Sequence, residues 1–285
     1  MFEFDFDAKA YNKVHFIGIG GISMSGMAEI LLSKGYQVSG TDNSDSHIVG
    51  HLRDLGATIY IGHSPSNIGD ADLIIFTDAI APDNIELAAA RESGACVVDR
   101  ASFLGSLMKN YRNSIAVSGT HGKTTTTSMI ATIINNPEMN PTILLGGELD
   151  SIGGNVKLGT NEFLLTEACE YKANILKYRP SMAIILNIDE DHLDFFKSID
   201  HITDTFREFV DNLTEKDVLI ANNDDEHVRL LAGACRGSVV TIGIDSDADF
   251  MAKNISFDSL GYPSFDLYAE GSFERSLKLG VMGKH

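Results

Sequence analysis

The sequence predicts an α/β protein made of two successive units, each a mainly parallel sheet covered by helices. Three observations lead there. Short apolar runs alternate with helix-length segments from residue 14 to beyond 240. Glycines stand where several of those helices would end. Two glycine-rich loops, GIGGISMSG at 18–26 and GTHGKT at 119–124, each follow an apolar run and precede a helical pattern. A chain that alternates strand and helix in this way needs crossover connections, which give parallel strands with both faces covered.

Residues 14–19, VHFIGI, make the first strand, which breaks at Gly20 and Gly21. Met24, Met27, Ala28, Leu31 and Leu32 can then share one face of a helix. Gly35 closes it in the usual C-terminal position. Residues 36–39 form the next strand, 47–55 a helix closed by Gly56, and 57–61 another strand. The order recurs with a strand at 72–77, a helix at 84–93 and a strand at 95–98. This first unit runs to about residue 110, giving domains of 1–110 and 111–285.

The polar stretch 109–113 leads into a new start: a strand at 114–118, the tight loop GTHGKT, and a helix at 125–134. Residues 162–166 and 182–188 are further strands, the second apolar enough for a buried central position. Ile199, Ile202, Phe206, Phe209 and Val210 mark a helical face. Strands follow at 218–221 and 239–242, with 222–226 read as a solvated turn. Beyond 245, alternation near 264–268 and 277–279 suggests short antiparallel pieces. The chain then stops at VMGKH without a closing element, which reads as a truncated chain.

Composition narrows the class. With 44% apolar and 22% charged residues, the 285-residue chain has the make-up of a folded protein. Its formal charge of -18 disfavours non-specific attraction to nucleic acid or anionic lipid. The acidic start, MFEFDFDAKAY, lacks the basic flank and apolar run of a signal peptide, and no apolar run approaches a membrane span. A cytoplasmic location without membrane insertion is expected. Cys96, Cys169 and Cys235 are widely spaced and read as buried thiols rather than a zinc or redox motif.

The two loops carry the chemistry. In the first, Gly18, Gly20 and Gly21 let the backbone turn tightly before a helix start, whose amides attract an anion. Asp42 lies 24 residues after Gly18, where a dinucleotide-binding fold puts its ribose-binding acid. Three readings stay open here: a dinucleotide, another phosphorylated or nucleotide-linked ligand, or a structural turn. Asp42 is either a ribose contact or a turn residue. The second loop is more specific. Gly119, Thr120, His121, Gly122, Lys123, Thr124 and Thr125 sit at a strand-to-helix turn, the context of a triphosphate loop. The amides cradle phosphates, Lys123 reaches the β- and γ-phosphates, and the Thr124 hydroxyl can ligate Mg2+. Val117 stands where the full motif has glycine, so this is a shortened variant. His121 either touches phosphate or caps the turn.

A metal-bound triphosphate also needs ligands at neighbouring strand ends. Glu167 ends the run FLLT, and His192 follows MAIILNI within DEDH. The carboxyl ends of parallel strands share one side of a sheet, so Thr124, Glu167 and His192 can converge. Imidazole is an unusual ligand for Mg2+, so His192 suggests a Mn2+-tolerant site or a second metal. Glu170 is either a further ligand or a surface acid. His63, His201 and His227 read as surface or packing histidines.

GIGGISMSGMAEIL at 18–31, TDAIAPDN at 77–84, SGTHGKTTTTSM at 118–129, TEACE at 166–170 and NIDEDHLDFF at 187–196 together resemble the Mur ligases of bacterial peptidoglycan synthesis. The resemblance runs along essentially the whole chain, and the first loop points to the alanine-adding branch. It implies a Rossmann-like N-terminal domain holding the UDP sugar, followed by a partial P-loop ATPase-like central domain, with a third domain absent. GKH at 283–285 resembles the start of the family's GxHNxxN segment. The implied substrates are ATP, UDP-N-acetylmuramate and L-alanine, joined through an acyl phosphate. By resemblance, Gly18, Gly20 and Gly21 lie beside UDP, with Asp42 near the nucleotide. Lys123 binds phosphate, Thr124 and Glu167 hold the ATP-associated Mg2+, and His192 holds a second metal. Lys123 and His192 are the implied catalytic groups. The family's carbamylated lysine is not carried over, since Arg207 stands in its approximate region.

Overall fold

The structure is a computed structural model that describes residues 2–283. Lys284 and His285, and with them most of the GKH resemblance, lie outside the described residues. The chain forms two compact units. One holds the residues up to Ala116 together with Lys123–Cys169 and Lys177–Pro180; the other holds Val117–Gly122, Glu170–Leu176 and the chain from Ser181 onward.

In the first unit, β1 (Lys13–Ile17), β2 (Gln37–Asp42), β3 (Thr58–Ile61), β4 (Leu73–Phe76) and β5 (Cys96–Asp99) make a parallel sheet in the order β3-β2-β1-β4-β5. The order reverses between β1 and β4, so their carboxyl ends open the crevice where such sheets bind ligands. The first glycine loop begins there. Strand and helix limits fall within a few residues of those read from the sequence. Gly35 and Gly56 adopt the positive φ values, 83° and 103°, that helix termination requires.

Helix α1 (Ile22–Ser33) departs from a one-faced amphipathic pattern. Met24, Ser25, Gly26, Met27, Ala28, Ile30 and Leu31 are all buried. A second cover explains this: the hairpin of β7 (Thr142–Leu149) and β8 (Gly154–Lys157), which sequence reading missed. A Cβ at Gly26 would lie 2.3 Å from Leu144 Cδ2 and 2.7 Å from Val156 Cγ2, so only glycine allows this approach.

Helices α2 (His47–Asp54) and α3 (Ile85–Glu92) are capped by Ser46 and Asn84. Helix α4 (Arg100–Met108), capped by Asp99, was also missed. Seven of its residues, from Ala101 and from Phe103 to Met108, are buried, so it has no polar face to reveal a helical period. The N-terminal arm joins it: the Phe4 amide donates to Ser106 Oγ, and the Phe4 ring packs on Phe103 and Tyr36.

Strands β6 (Asn113–Ser118), β9 (Phe163–Glu167), β7 and β8 follow one another in the order β6-β9-β7-β8. Helix α5 (Lys123–Ile134) packs on β7 and β9 and starts two residues earlier than the sequence suggested. The second unit contains β10 (Met182–Ile185), β11 (Val218–Asn222) and β12 (Ser238–Gly243), all parallel. It continues into an antiparallel meander of β13 (Phe250–Phe257), β14 (Pro263–Ala269) and β15 (Ser272–Lys278). Helix α6 (Ile199–Asp211) buries Ile202, Phe206, Phe209 and Val210, as its period indicated.

Two readings are corrected here. The segment 222–226 is not simply a solvated turn: Asn222 ends β11 and Asp225 caps α7 (Glu226–Ala232) through the Val228 amide, 2.9 Å away. The three cysteines are half-buried rather than buried. Among the described residues no helix is long and apolar enough to cross a membrane.

Candidate functional site

The first glycine loop is held from below. The amides of Gly18 and Ile19 both donate to the Thr41 carbonyl, at 2.8 and 3.0 Å. Gly18 takes φ 85°, and a Cβ there would lie 2.6 Å from Thr77 Cγ2. Gly21 caps α1 without a side chain, so the helix start faces outward unobstructed. Asp42 is a turn residue with a second, long-range role. Its Oδ2 accepts the Gly20 amide at 2.8 Å and its Oδ1 accepts the Ser44 amide at 3.1 Å, so it braces the loop itself.

Beneath this loop lies a polar cluster that sequence reading did not assemble. Glu86 and His15 are fully buried. Glu86 Oε1 takes His15 Nε2 at 2.9 Å and Thr41 Oγ1 at 2.6 Å, while Oε2 takes His63 Nδ1 at 2.6 Å. The other ring nitrogen of His15 meets Ser39 Oγ at 2.8 Å. Burial alone would raise the Glu86 carboxyl pKa, but hydrogen bonds from His15, Thr41 and His63 outweigh it and hold it below the ordinary carboxylate range. His63 is therefore a packing histidine. The signal was present in VHFIGI, where a histidine inside an otherwise apolar strand needs a buried partner.

The second loop runs from β6 to α5. Gly119 and Gly122 take φ 134° and 81°. A Cβ on Gly119 would press on Leu186 Cβ at 3.0 Å and the Asn187 backbone at 3.1 Å. Asn187 organises the loop: its carbonyl accepts the Thr120 amide at 3.1 Å, and its side chain both accepts the His121 amide at 2.8 Å and donates to the His121 carbonyl at 3.1 Å. Thr120 Oγ1 bonds the Asp189 backbone. His121 thus fixes the turn through its main chain while its side chain stays exposed. The amides of Thr120 and His121 serve the loop's own shape. Lys123, Thr124 and Thr125 open α5, and first-turn amides have no acceptor within their own helix. Thr124 and Thr125 are exposed.

Glu167, at the end of β9, is brought to this helix start. The Thr124 hydroxyl donates to Glu167 Oε2 at 3.0 Å, and the Gly146 amide donates to Oε1 at 2.8 Å. A Cβ on Gly146 would come within 2.9 Å of the carboxylate, so a side chain there would push Glu167 from this position. Gly146 and Gly147, in ILLGGEL, went unremarked in the sequence, although two glycines ending an apolar run are a recognisable sign of close backbone approach. The chemistry fits a hard cation: two oxygens 3.0 Å apart match neighbouring ligands of an octahedron with bonds of about 2.1 Å.

His192 lies in the other unit. It takes φ 51°, unusual for a residue with a side chain, and its amide donates to Asp191 Oδ1 at 2.7 Å. Its Nε2 is 3.5 Å from Glu170 Oε1, and its ring packs on Tyr171 at 4.7 Å. Glu170 is 1% exposed, so it is no surface acid. The Tyr171 hydroxyl donates to Asp194 Oδ2 at 2.7 Å, tying the DHLD segment into this cluster. His201 stacks on Phe195 and meets Phe196 edge-on, as a packing histidine does.

Comparison with known proteins shows the family of the chain. Residues 13–112 match the family described as Mur ligase family, catalytic domain, and residues 117–285 match Mur ligase middle domain. The chain is 49% identical over 282 residues to UDP-N-acetylmuramate–L-alanine ligase of Clostridium acetobutylicum, covering 99% of this chain and 61% of that protein. The crystal structure of UDP-N-acetylmuramate-alanine ligase from Thermotoga maritima superposes with a TM-score of 0.80 at 32% identity, covering 95% of this chain and 61% of that one. The UDP-N-acetylmuramate:L-alanyl-gamma-D-glutamyl-meso-diaminopimelate ligase of Neisseria meningitides gives 0.83 at 25% identity, covering 96% and 89%. The chain spans about three-fifths of the length of the curated relatives it matches.

Proposed function

The chain belongs to the Mur ligase family, and from that premise we propose that it supplies the sugar-nucleotide and ATP-handling parts of a cytoplasmic UDP-N-acetylmuramate–L-alanine ligase. The observation that carries the reading is the pairing of Thr124, in GKT at a helix start, with Glu167 at the neighbouring strand end. Identity of 49% to an alanine ligase favours L-alanine as the acceptor.

In this reading residues 1–110 hold UDP-N-acetylmuramate and 111–285 handle ATP. The lactyl carboxylate attacks the γ-phosphorus of ATP, giving an acyl phosphate and ADP. The neutral amine of L-alanine then attacks the acyl carbon, phosphate leaves, and an amide remains. Gly18, Gly20 and Gly21 bring backbone and the α1 start to the UDP phosphates, with Asp42 bracing the turn. Gly119, Thr120, His121 and Gly122 shape the second loop, and Lys123, Thr124 and Thr125 meet the ATP phosphates at the start of α5. Lys123 offsets charge as two anionic groups approach. Thr124 and Glu167 would hold Mg2+, which supplies Lewis-acid neutralisation of the phosphoryl oxygens. His192, oriented by Glu170 and Tyr171, would serve a second metal.

Product analysis tests this. The chain extended to the length of its relatives should form UDP-N-acetylmuramoyl-L-alanine from ATP, UDP-N-acetylmuramate and L-alanine. The Neisseria likeness gives a definite rival, since its TM-score equals or exceeds that of the alanine ligase. Preference for a tripeptide over L-alanine would replace the alanine assignment. ATP and sugar-nucleotide binding without any amide product would remove the enzymatic one.

A further inference from the structure

Beside Glu167 lies a cavity of about 130 Å³ whose walls include Ser23, Arg100, Gly146, Glu167, Cys169 and Tyr178. Two of its groups, Arg100 and Tyr178, have donor capacity beyond the contacts they make. Arg100 opens α4 and is partly buried; its Nη1 lies 3.4 Å from Ser23 Oγ, and the Tyr178 hydroxyl is a further neighbour of the guanidinium. Tyr178 is 1% exposed, and its hydroxyl lies beside the Arg100 guanidinium without reaching full hydrogen-bond geometry. A guanidinium carries five donors, and leaving buried donors and cations unmatched is costly. Burial works against the Arg100 charge, but Tyr178, Cys169 and Asp78 outweigh it and hold the group above its ordinary pKa. The cavity therefore offers a permanent cation and two hydroxyls to an oxyanion.

We infer that Arg100, Tyr178 and Ser23 form a subsite for the carboxylate of the acid substrate, the group that becomes phosphorylated. Size favours this, because the cavity holds a carboxylate on a short stem and is well below the roughly 300 Å³ at which pockets for whole small molecules begin. Position favours it too. Ser23 stands in the first turn of α1, within the first glycine-rich segment, and Glu167, the residue Thr124 contacts, lines the same cavity. A group in this cavity borders both the glycine-rich segment assigned to the sugar nucleotide and the carboxylate assigned to Mg2+. The planar fork of arginine matches a carboxylate in a bidentate manner. Glu167 would repel that anion, so binding is favoured when Mg2+ offsets its charge. Arg100 and Tyr178 position the substrate and do not take part in bond making. The inference rests on the function proposed above.

Two sugar nucleotides separate the outcomes. UDP-N-acetylglucosamine shares the nucleotide, diphosphate and hexosamine but lacks the lactyl carboxylate. Calorimetric titration of the 285-residue chain with Mg2+ should show tighter binding of UDP-N-acetylmuramate. Arg100→Gln should weaken that binding about 10-fold to 100-fold, the effect of a lost charge-assisted hydrogen bond, and leave UDP-N-acetylglucosamine within about twofold. Tyr178→Phe should weaken the acid about 5-fold without lowering the melting temperature, since it removes a buried hydroxyl that lacks full hydrogen-bond geometry. If the wild type binds the acid and both variants, folded by thermal melt, bind it equally well, the subsite is refuted while the function stands. A parallel loss for both ligands assigns the cavity to the diphosphate and overturns the carboxylate assignment. Binding of neither ligand by the wild type would overturn the proposed function and the subsite with it.

Discussion

Glu86→Ala should destabilise the first unit by about 2–6 kcal/mol, and the number follows from its partners. The carboxylate serves three donors: His15 and Thr41, both fully buried, and His63 at the edge. Removing it leaves two buried donors without an acceptor, at about 1–3 kcal/mol each. His63 reaches solvent and adds little. Against a typical domain stability of about 5–15 kcal/mol, this is a large fraction. With a urea m-value of about 2 kcal/mol/M, a loss of 4 kcal/mol shifts the midpoint by about 2 M. Far-UV circular dichroism during urea titration reads that shift. Glu86→Gln is the control: it is isosteric, keeps one oxygen for His15 and Thr41, and should lose about 1 kcal/mol of charge assistance. A midpoint for Glu86→Ala within about 0.3 M of wild type would show that the buried cluster contributes nothing net, and the reasoning would fail.

Further outcomes are expected. Acid stability should depend on the same residue: Glu86 is held below its ordinary range, so its contribution is fully present above the unfolded value of about 4.3 and is lost as pH falls through the lower folded value. Glu86→Gln should flatten that part of a stability–pH curve, and an unchanged curve would assign the acid sensitivity elsewhere. Lys123→Ala, in the chain extended to the length of its relatives, should cut ATP turnover about 100-fold to 1000-fold with UDP-N-acetylmuramate affinity intact; unchanged turnover removes Lys123 from the mechanism. Asp42→Ala frees the Gly20 amide and should weaken sugar-nucleotide binding about 10-fold, whereas Asp42→Asn, which keeps an acceptor, should bind nearly normally. Gly105→Ala would put a Cβ 2.0 Å from the Lys177 carbonyl oxygen, so its melting temperature should fall by an amount matching about 1–3 kcal/mol.

Whatever depends on neighbours along the chain was legible in the residues alone. Strands such as 14–19 and 182–188, the period of α6, the stops at Gly35 and Gly56, and both glycine loops are local patterns. They hold because backbone conformation and one-faced burial are decided within a few residues. Thr124 and Glu167 were legible as a pair because strand ends of a parallel sheet converge whatever lies between them.

Features that depend on distant contacts became visible only in the folded chain. Helix α4 was hidden because burial all round erases its period, and the β7–β8 hairpin was hidden because its partner is α1. For Asp42, packing added the Gly20 amide as a long-range partner to its turn contact with Ser44. Glu170 proved buried beside His192. The Arg100–Tyr178 cavity, drawn from α1, α4, β7, β9 and the segment Lys177–Pro180, has no sequence signature at all. Its chemistry arises from side chains up to 155 positions apart, from Ser23 to Tyr178, and their approach is fixed by packing rather than by any local propensity.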